Sequence, residues 1–141
     1  MSRKVTYDLE KKLVAYCGIY CRECDYYTGA IAKVGKELYE LLKRHSEFEL
    51  FETIPIKYED FLKAAEWLAN FKPCLGCRAG DGWSECPARM CAEEKGVEYC
   101  FECAEFPCTK LKEKLPWTID RLKRIKEKGL EDWIKEKLES A

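Results

Sequence analysis

Between residues 72 and 108 the chain carries seven of its ten cysteines, four glycines and three prolines. A stretch with so few large apolar side chains cannot bury enough surface to hold itself together, so something besides hydrophobic contact must fix it. Thiols are the groups numerous enough to do so, and what they bond to depends on the compartment. No apolar run approaches the roughly 18 residues of a membrane span, and the opening "MSRKVTYDLEKK" lacks the apolar segment of a secretory signal. The sequence therefore predicts a cytoplasmic chain with no membrane association. In a reducing compartment a cysteine-rich pattern serves metal ions more often than disulfides.

The spacings are Cys17-x3-Cys21-x2-Cys24, Cys74-x2-Cys77, Cys86-x4-Cys91 and Cys100-x2-Cys103-x4-Cys108. A C-x2-C pair folds into a tight knuckle that turns both sulfurs toward one metal. The segment "CLGCRAGDGWSECPARMC" supplies Cys74, Cys77, Cys86 and Cys91 within 18 residues, enough for a complete tetrathiolate site. Cys100, Cys103 and Cys108 need a fourth ligand, which the N-terminal trio Cys17, Cys21 and Cys24 is placed to donate. All ten cysteines are thus candidate metal ligands, with about two zinc ions per chain. Each four-cysteine zinc centre is dianionic, so two would move the formal charge from −1 to about −5.

Zinc suits all-cysteine tetrahedral sites and explains how a glycine-rich segment folds. A [4Fe-4S] cluster, serving electron transfer or an anaerobic enzyme, is the alternative and needs the same four thiolates. The ferredoxin run C-x2-C-x2-C-x3-C-P is absent, with only faint echoes at Cys86-Pro87 and Pro107-Cys108. The opening array has the spacing of a radical enzyme's cluster loop. Such an enzyme needs a barrel of alternating strands and helices, and this chain has neither the length nor the pattern for one.

The remainder reads as helix. Ile31, Val34, Leu38, Leu41 and Leu42 fall on one helical face, in a helix from Cys21 or Asp25 to Arg44. Phe61, Ala64, Ala65, Leu68 and Phe71 stripe a second helix over 58–71. Pro87 suits the first position of a short helix reaching Glu94. From Trp117 or Thr118 a further helix turns Leu122 and Ile125 inward and ends at Gly129, and Leu130, Trp133, Ile134 and Leu138 line the last one. The expected fold is mostly α with little or no β, a single domain over 1–141. Its helical core spans 25–71 and 117–138, and its metal-stapled zinc knuckles occupy 72–108 and 17–24.

No catalytic set stands out, so an enzyme is not the favoured reading. His45 is the sole histidine and follows Lys43 and Arg44 at a helix end, where the dipole favours a cation. Glu93, Glu94, Glu98, Glu102 and Glu105 suit a solvated face. "CRAGDGWSEC" lacks the Lys-Ser/Thr ending of a phosphate loop and reads as a loop closing a metal site. Tyr16, Tyr20, Tyr26, Tyr27, Tyr99 and Phe101 cluster near cysteines, where aromatics shield thiolates from water. Residues 109–128 hold eight basic against three acidic side chains, an invitation to nucleic acid that the acidity of a metallated chain opposes. A protein partner is the favoured expectation.

Taken together, "LVAYCGIYCRECDYY", "CLGCR", "CPARMCAEEKGVEYCFECAEFPC" and "KGLEDWIKEKL" resemble the cysteine-rich family known as domain of unknown function 3795, over roughly Leu13 to Leu138. The resemblance implies a small stand-alone protein that binds zinc or an iron-sulfur centre through these cysteines. It implies no reaction.

Overall fold

The computed structural model describes residues 3–140. Its helices are α1 (Arg3–Lys11), α2 (Asp25–Thr28), α3 (Ala30–Arg44), α4 (Tyr58–Ala69), α5 (Pro87–Lys95), α6 (Thr109–Lys114), α7 (Ile119–Lys128) and α8 (Leu130–Glu139), joined by loops and 3-10 turns. Among the described residues there is no strand, only an isolated antiparallel bridge between Val14 and Tyr20. The mostly helical class expected from sequence is what folds. The chain divides into two compact units. One combines the residues up to Cys24 with those from Leu75 onward, and the other is the intervening segment Asp25–Cys74.

The intervening unit is built on α3 packed against α4. Its closest approach is at Gly35, where an added Cβ would stand 2.5 Å from the backbone of Leu68 and Ala69. Ala65 and Ala69 are buried opposite, so small side chains let the two backbones come together. This contact also sets which face of α3 is inside. Gly35 and Leu42, one heptad apart, are its buried residues, whereas Val34 and Leu41 of the expected stripe are 60 % and 41 % exposed. The expected continuous helix from Cys21 or Asp25 is broken at Gly29, whose φ of 83° is left-handed. Tyr58 donates to the Leu42 carbonyl, tying α4 to α3. The unit's two ends are joined where the Cys74 N–H donates to the Tyr26 carbonyl at 2.6 Å.

The other unit is centred on α7. Leu122 and Ile125 are fully buried, as their spacing predicts. Leu122 packs with Ala15, Cys17, Ala88, Cys100, Leu111 and Leu115, while Ile125 packs with Val14, Tyr20, Tyr99, Trp133 and Ile134. Pro87 opens α5 and left-handed Gly96 closes it. Helices α1 and α6 carry no legible apolar stripe. The inward side of α1 holds Glu10, a carboxylate only 5 % exposed. Its two oxygens accept from Arg22 and one also accepts from the Tyr20 hydroxyl, which makes the buried charge tolerable.

Arg78, half-buried, is a second polar device. Its Nε donates to the Val14 carbonyl at 2.8 Å, and an Nη donates to the Glu98 carbonyl. Its guanidinium lies between the rings of Tyr16 and Tyr99, 4.3 and 4.4 Å from their centroids. One side chain thus joins the N-terminal segment, the cysteine-rich loop and the residues leading into Cys100.

Candidate metal centre

Two of the C-x2-C pairs are single 3-10 turns, Cys21–Glu23 and Cys100–Glu102. In each the second cysteine's N–H donates to the first one's carbonyl, Cys24 to Cys21 at 3.0 Å and Cys103 to Cys100 at 3.2 Å. The turn at Cys100 is braced by the Glu102 carboxylate, which accepts the Tyr99 N–H at 2.9 Å.

Cys86 and Cys91 part company at α5. Cys86 precedes Pro87 as the cap residue and Cys91 sits in the middle of the helix. Five residues at 3.6 per turn separate two side chains by about 140° around the axis, so the two thiols cannot share a helix face. Cys86 packs against the core around Leu122. Cys91 instead lines a small cavity with Cys100, Cys103 and Cys108, closed by Phe106 and Leu111. The quartet expected from "CLGC…CPARMC" is therefore not the set of thiols that shares this space. Cys77 and Cys86 pack on the core, and Cys91 joins the C-terminal trio. Cys21 is buried, with its Sγ 3.7 Å from where a Gly76 Cβ would stand.

The four-thiol cavity has a volume of about 20 Å³, room for one atom-sized guest. Its thiols line the space without forming a finished ligand shell: among the described residues no group of three or more His, Cys, Asp or Glu side chains is arranged to hold a metal ion as it stands. Cys100 is 8 % exposed. Burial, reinforced by the neighbouring Cys17, Cys108, Cys91 and Cys86, pushes its thiol up to about 12, so it holds its proton at neutral pH. Cys17 is likewise pushed up by burial. A metal ion that binds such a thiol displaces its proton to the solvent.

One cation stands at the rim. The Lys95 ammonium is 3.6 Å from the Cys103 sulfur and is ion-paired to Glu105. The Glu105 carboxylate, with help from Cys103 and Cys91, holds Lys95 in its charged form. On the opposite, core side, Arg121 reaches the Cys17 carbonyl at 3.5 Å. Its Nε is buried with no hydrogen-bond partner.

Soft sulfur donors in an apolar pocket select thiophilic ions, and four of them meet the requirement of zinc. Residues 13–113 match the model of a family described as a protein of unknown function, DUF3795. The chain belongs to the DUF3795 family. The match takes in every cysteine and ends at Glu113, short of α7 and α8, so the closing "KGLEDWIKEKL" of the sequence resemblance lies beyond it. No curated protein and no solved structure matches the chain.

Other expected features fall elsewhere in this DUF3795 chain. His45 caps α3 and contacts Glu47 at 2.8 Å, exposed. In "CRAGDGWSEC" the Asp81 carboxylate accepts the Leu75 N–H at 2.9 Å, closing the loop on itself. The aromatics do not simply screen sulfur: Tyr16 and Tyr99 clamp Arg78, and Tyr20 binds Glu10. Sequence reading passed over Lys95, Arg78 and Arg121, whose roles come from residues 8 to 104 positions away. No helix among the described residues is long and apolar enough to cross a membrane.

Proposed function

We propose that this protein is a zinc-thiolate binding module in which Cys91, Cys100, Cys103 and Cys108 hold one Zn²⁺. The carrying observation is the convergence of these four thiols, from α5, the Cys100 turn and the approach to α6, on one small apolar cavity. Four protein ligands leave no open coordination position for water or substrate, which is the pattern of a structural site. The module then acts through a protein partner rather than by catalysis. Room for a single ion favours zinc over a four-iron cube, and the protonated state of Cys100 makes loading release protons and weaken as pH falls.

The test is elemental analysis with acid-labile sulfide on protein purified without oxygen, wild type beside Cys103→Ser. Zinc without iron, falling in the variant together with thermal stability, is the expected result. Iron with matching sulfide would replace zinc by the iron-sulfur reading. A wild-type protein that takes up neither metal when offered them, and whose stability chelation leaves unchanged, would overturn both.

A further inference from the structure

Lys95 and Cys103 approach each other from two fixed positions. Lys95 is the last residue of α5, which left-handed Gly96 closes by donating its N–H to the Ala92 and Glu93 carbonyls. Cys103 ends the Cys100 turn, with its N–H on the Cys100 carbonyl at 3.2 Å and its own carbonyl accepting the Phe106 N–H at 3.1 Å. From these positions the Lys95 Nζ stands 3.6 Å from the Cys103 sulfur and is ion-paired to Glu105. An amine, a thiol and a carboxylate therefore meet at the rim of the cavity. Solvent reaches them: Cys103 is half-buried, and the Lys95 side chain is 37 % exposed. A thiol oxidised to a sulfenic acid has an electrophilic sulfur, and the nucleophile that reaches it decides its fate. A second thiol is the common partner. Here the group in polar contact with the sulfur is an amine, while Cys100, at the other end of the same turn, is buried and keeps its proton.

We propose that Cys103 and Lys95 form a redox-modification site, which a hydroperoxide closes to a covalent sulfenamide between Sγ and Nζ. In the first step the peroxide O–O bond breaks. The Cys103 sulfur takes one oxygen and is oxidised by two electrons to the sulfenic acid, and the other oxygen leaves as water. In the second step the Lys95 ammonium gives a proton to the Glu105 carboxylate and its nitrogen attacks the sulfur. The S–O bond breaks as the S–N bond forms, and the departing hydroxide takes the second proton of the amine and leaves as water. One peroxide is consumed, two waters are released, and Glu105 passes its proton to the solvent. A thiol reductant returns the two electrons and restores both side chains. Glu105 thus acts twice, first by holding the amine beside the sulfur and then by accepting its proton. Where the cavity holds zinc, the bond removes Cys103 as a ligand and loosens the ion. The bond itself needs only these three residues and the oxidant, so it stands independently of the zinc reading.

The experiment treats the full chain with an equivalent of hydrogen peroxide, blocks the remaining thiols by alkylation and maps the products by mass spectrometry. Cleavage after glutamates separates Lys95 from Cys103 and Cys103 from Cys100. The expected product is a pair of peptides joined between Lys95 and Cys103, absent when a thiol reductant follows the peroxide. Lys95→Arg keeps a cation at the rim and removes the nucleophilic amine. It should give no joined pair, with Cys103 carried on to the sulfinic acid that thiol reductants do not reverse. Circular dichroism of the variant checks that it is folded. Cys103 joined to another cysteine in wild type would overturn the proposal, as would the same Cys103 products in wild type and Lys95→Arg, or a Cys103 left unmodified while other cysteines oxidise. Zinc and iron measured on untreated protein bear on the metal reading alone, so the two readings fail separately.

Discussion

Arg78 offers the sharpest test of how the cysteine-rich region is held before any metal is considered. It makes two hydrogen bonds from a charged donor to the carbonyls of Val14 and Glu98 and lies between two aromatic rings. Bonds from charged groups contribute roughly 1.5–3 kcal/mol each, and a cation over a ring about 0.5–1 kcal/mol at a partly exposed site. Glu98 is exposed, so water can replace the donor there, and the lower ends of these ranges apply. Arg78→Ala should therefore cost about 3–4 kcal/mol of folding stability. Arg78→Lys keeps the charge and one bond but loses the planar stack and the fork, for about half that loss. Urea unfolding followed by circular dichroism measures both. An alanine variant within about 0.5 kcal/mol of wild type, the range of an ordinary surface substitution, would refute the clamp. Equal stability of Arg78→Lys and wild type would show that charge alone matters and that the sandwich between Tyr16 and Tyr99 adds nothing.

Three further outcomes follow from the same geometry. Gly35→Ala drives a methyl into the backbone of Leu68 and Ala69 and should cost about 1–3 kcal/mol, more than its gain in helix propensity returns; a stabilised variant on thermal denaturation would mean that α3 and α4 do not cross there. Arg22 holds the Glu10 carboxyl below the usual carboxylate range, with Tyr20 assisting against the opposing effect of burial. Glu10 thus adds stability above the unfolded carboxylate pKa of about 4.3 and loses it as pH falls through the lower folded value. Glu10→Gln should be less stable at neutral pH, with a shallower decline in acid, and a decline as steep as wild type would count against the assignment. Lys95→Met removes the cation beside Cys103, and in competition with a chromophoric chelator it should weaken zinc retention about two- to threefold, an effect that shrinks with added salt; unchanged retention at low salt would leave Lys95 a bystander.

Much of the helical frame was legible because hydrophobic periodicity and punctuation agreed. Leu122 and Ile125, the stop at Gly129 and the start at Pro87 all fall where spacing puts them. The inner face of α3 was not, because its centre is a glycine: periodicity counts apolar bulk, and Gly35 contributes by having none. Helix α1 escaped for the opposite reason, since its inward residue Glu10 is charged and becomes tolerable only through Arg22 and Tyr20. Spacing says nothing of how Cys86 and Cys91 are grouped. They are close in sequence, but a helix begins between them and turns them apart, while Cys91 meets Cys100, Cys103 and Cys108 through tertiary folding. Spacing along a chain identifies who is able to be a ligand and is silent about who shares a cavity.

The clasp between Tyr26 and Cys74 bears on the order of events during synthesis. A segment whose second and last residues already touch presents the equivalent of a short loop, so its approximately fifty residues add little closure entropy. Its own contacts, α3 against α4, are local in sequence and form quickly. As the polypeptide leaves the ribosome, Asp25–Cys74 has everything it needs once Cys74 emerges. The residues preceding it must wait for α5 through α8. Cys17 is thus made well before Ala88, Cys100, Leu111, Leu115 and Leu122, the residues it packs among.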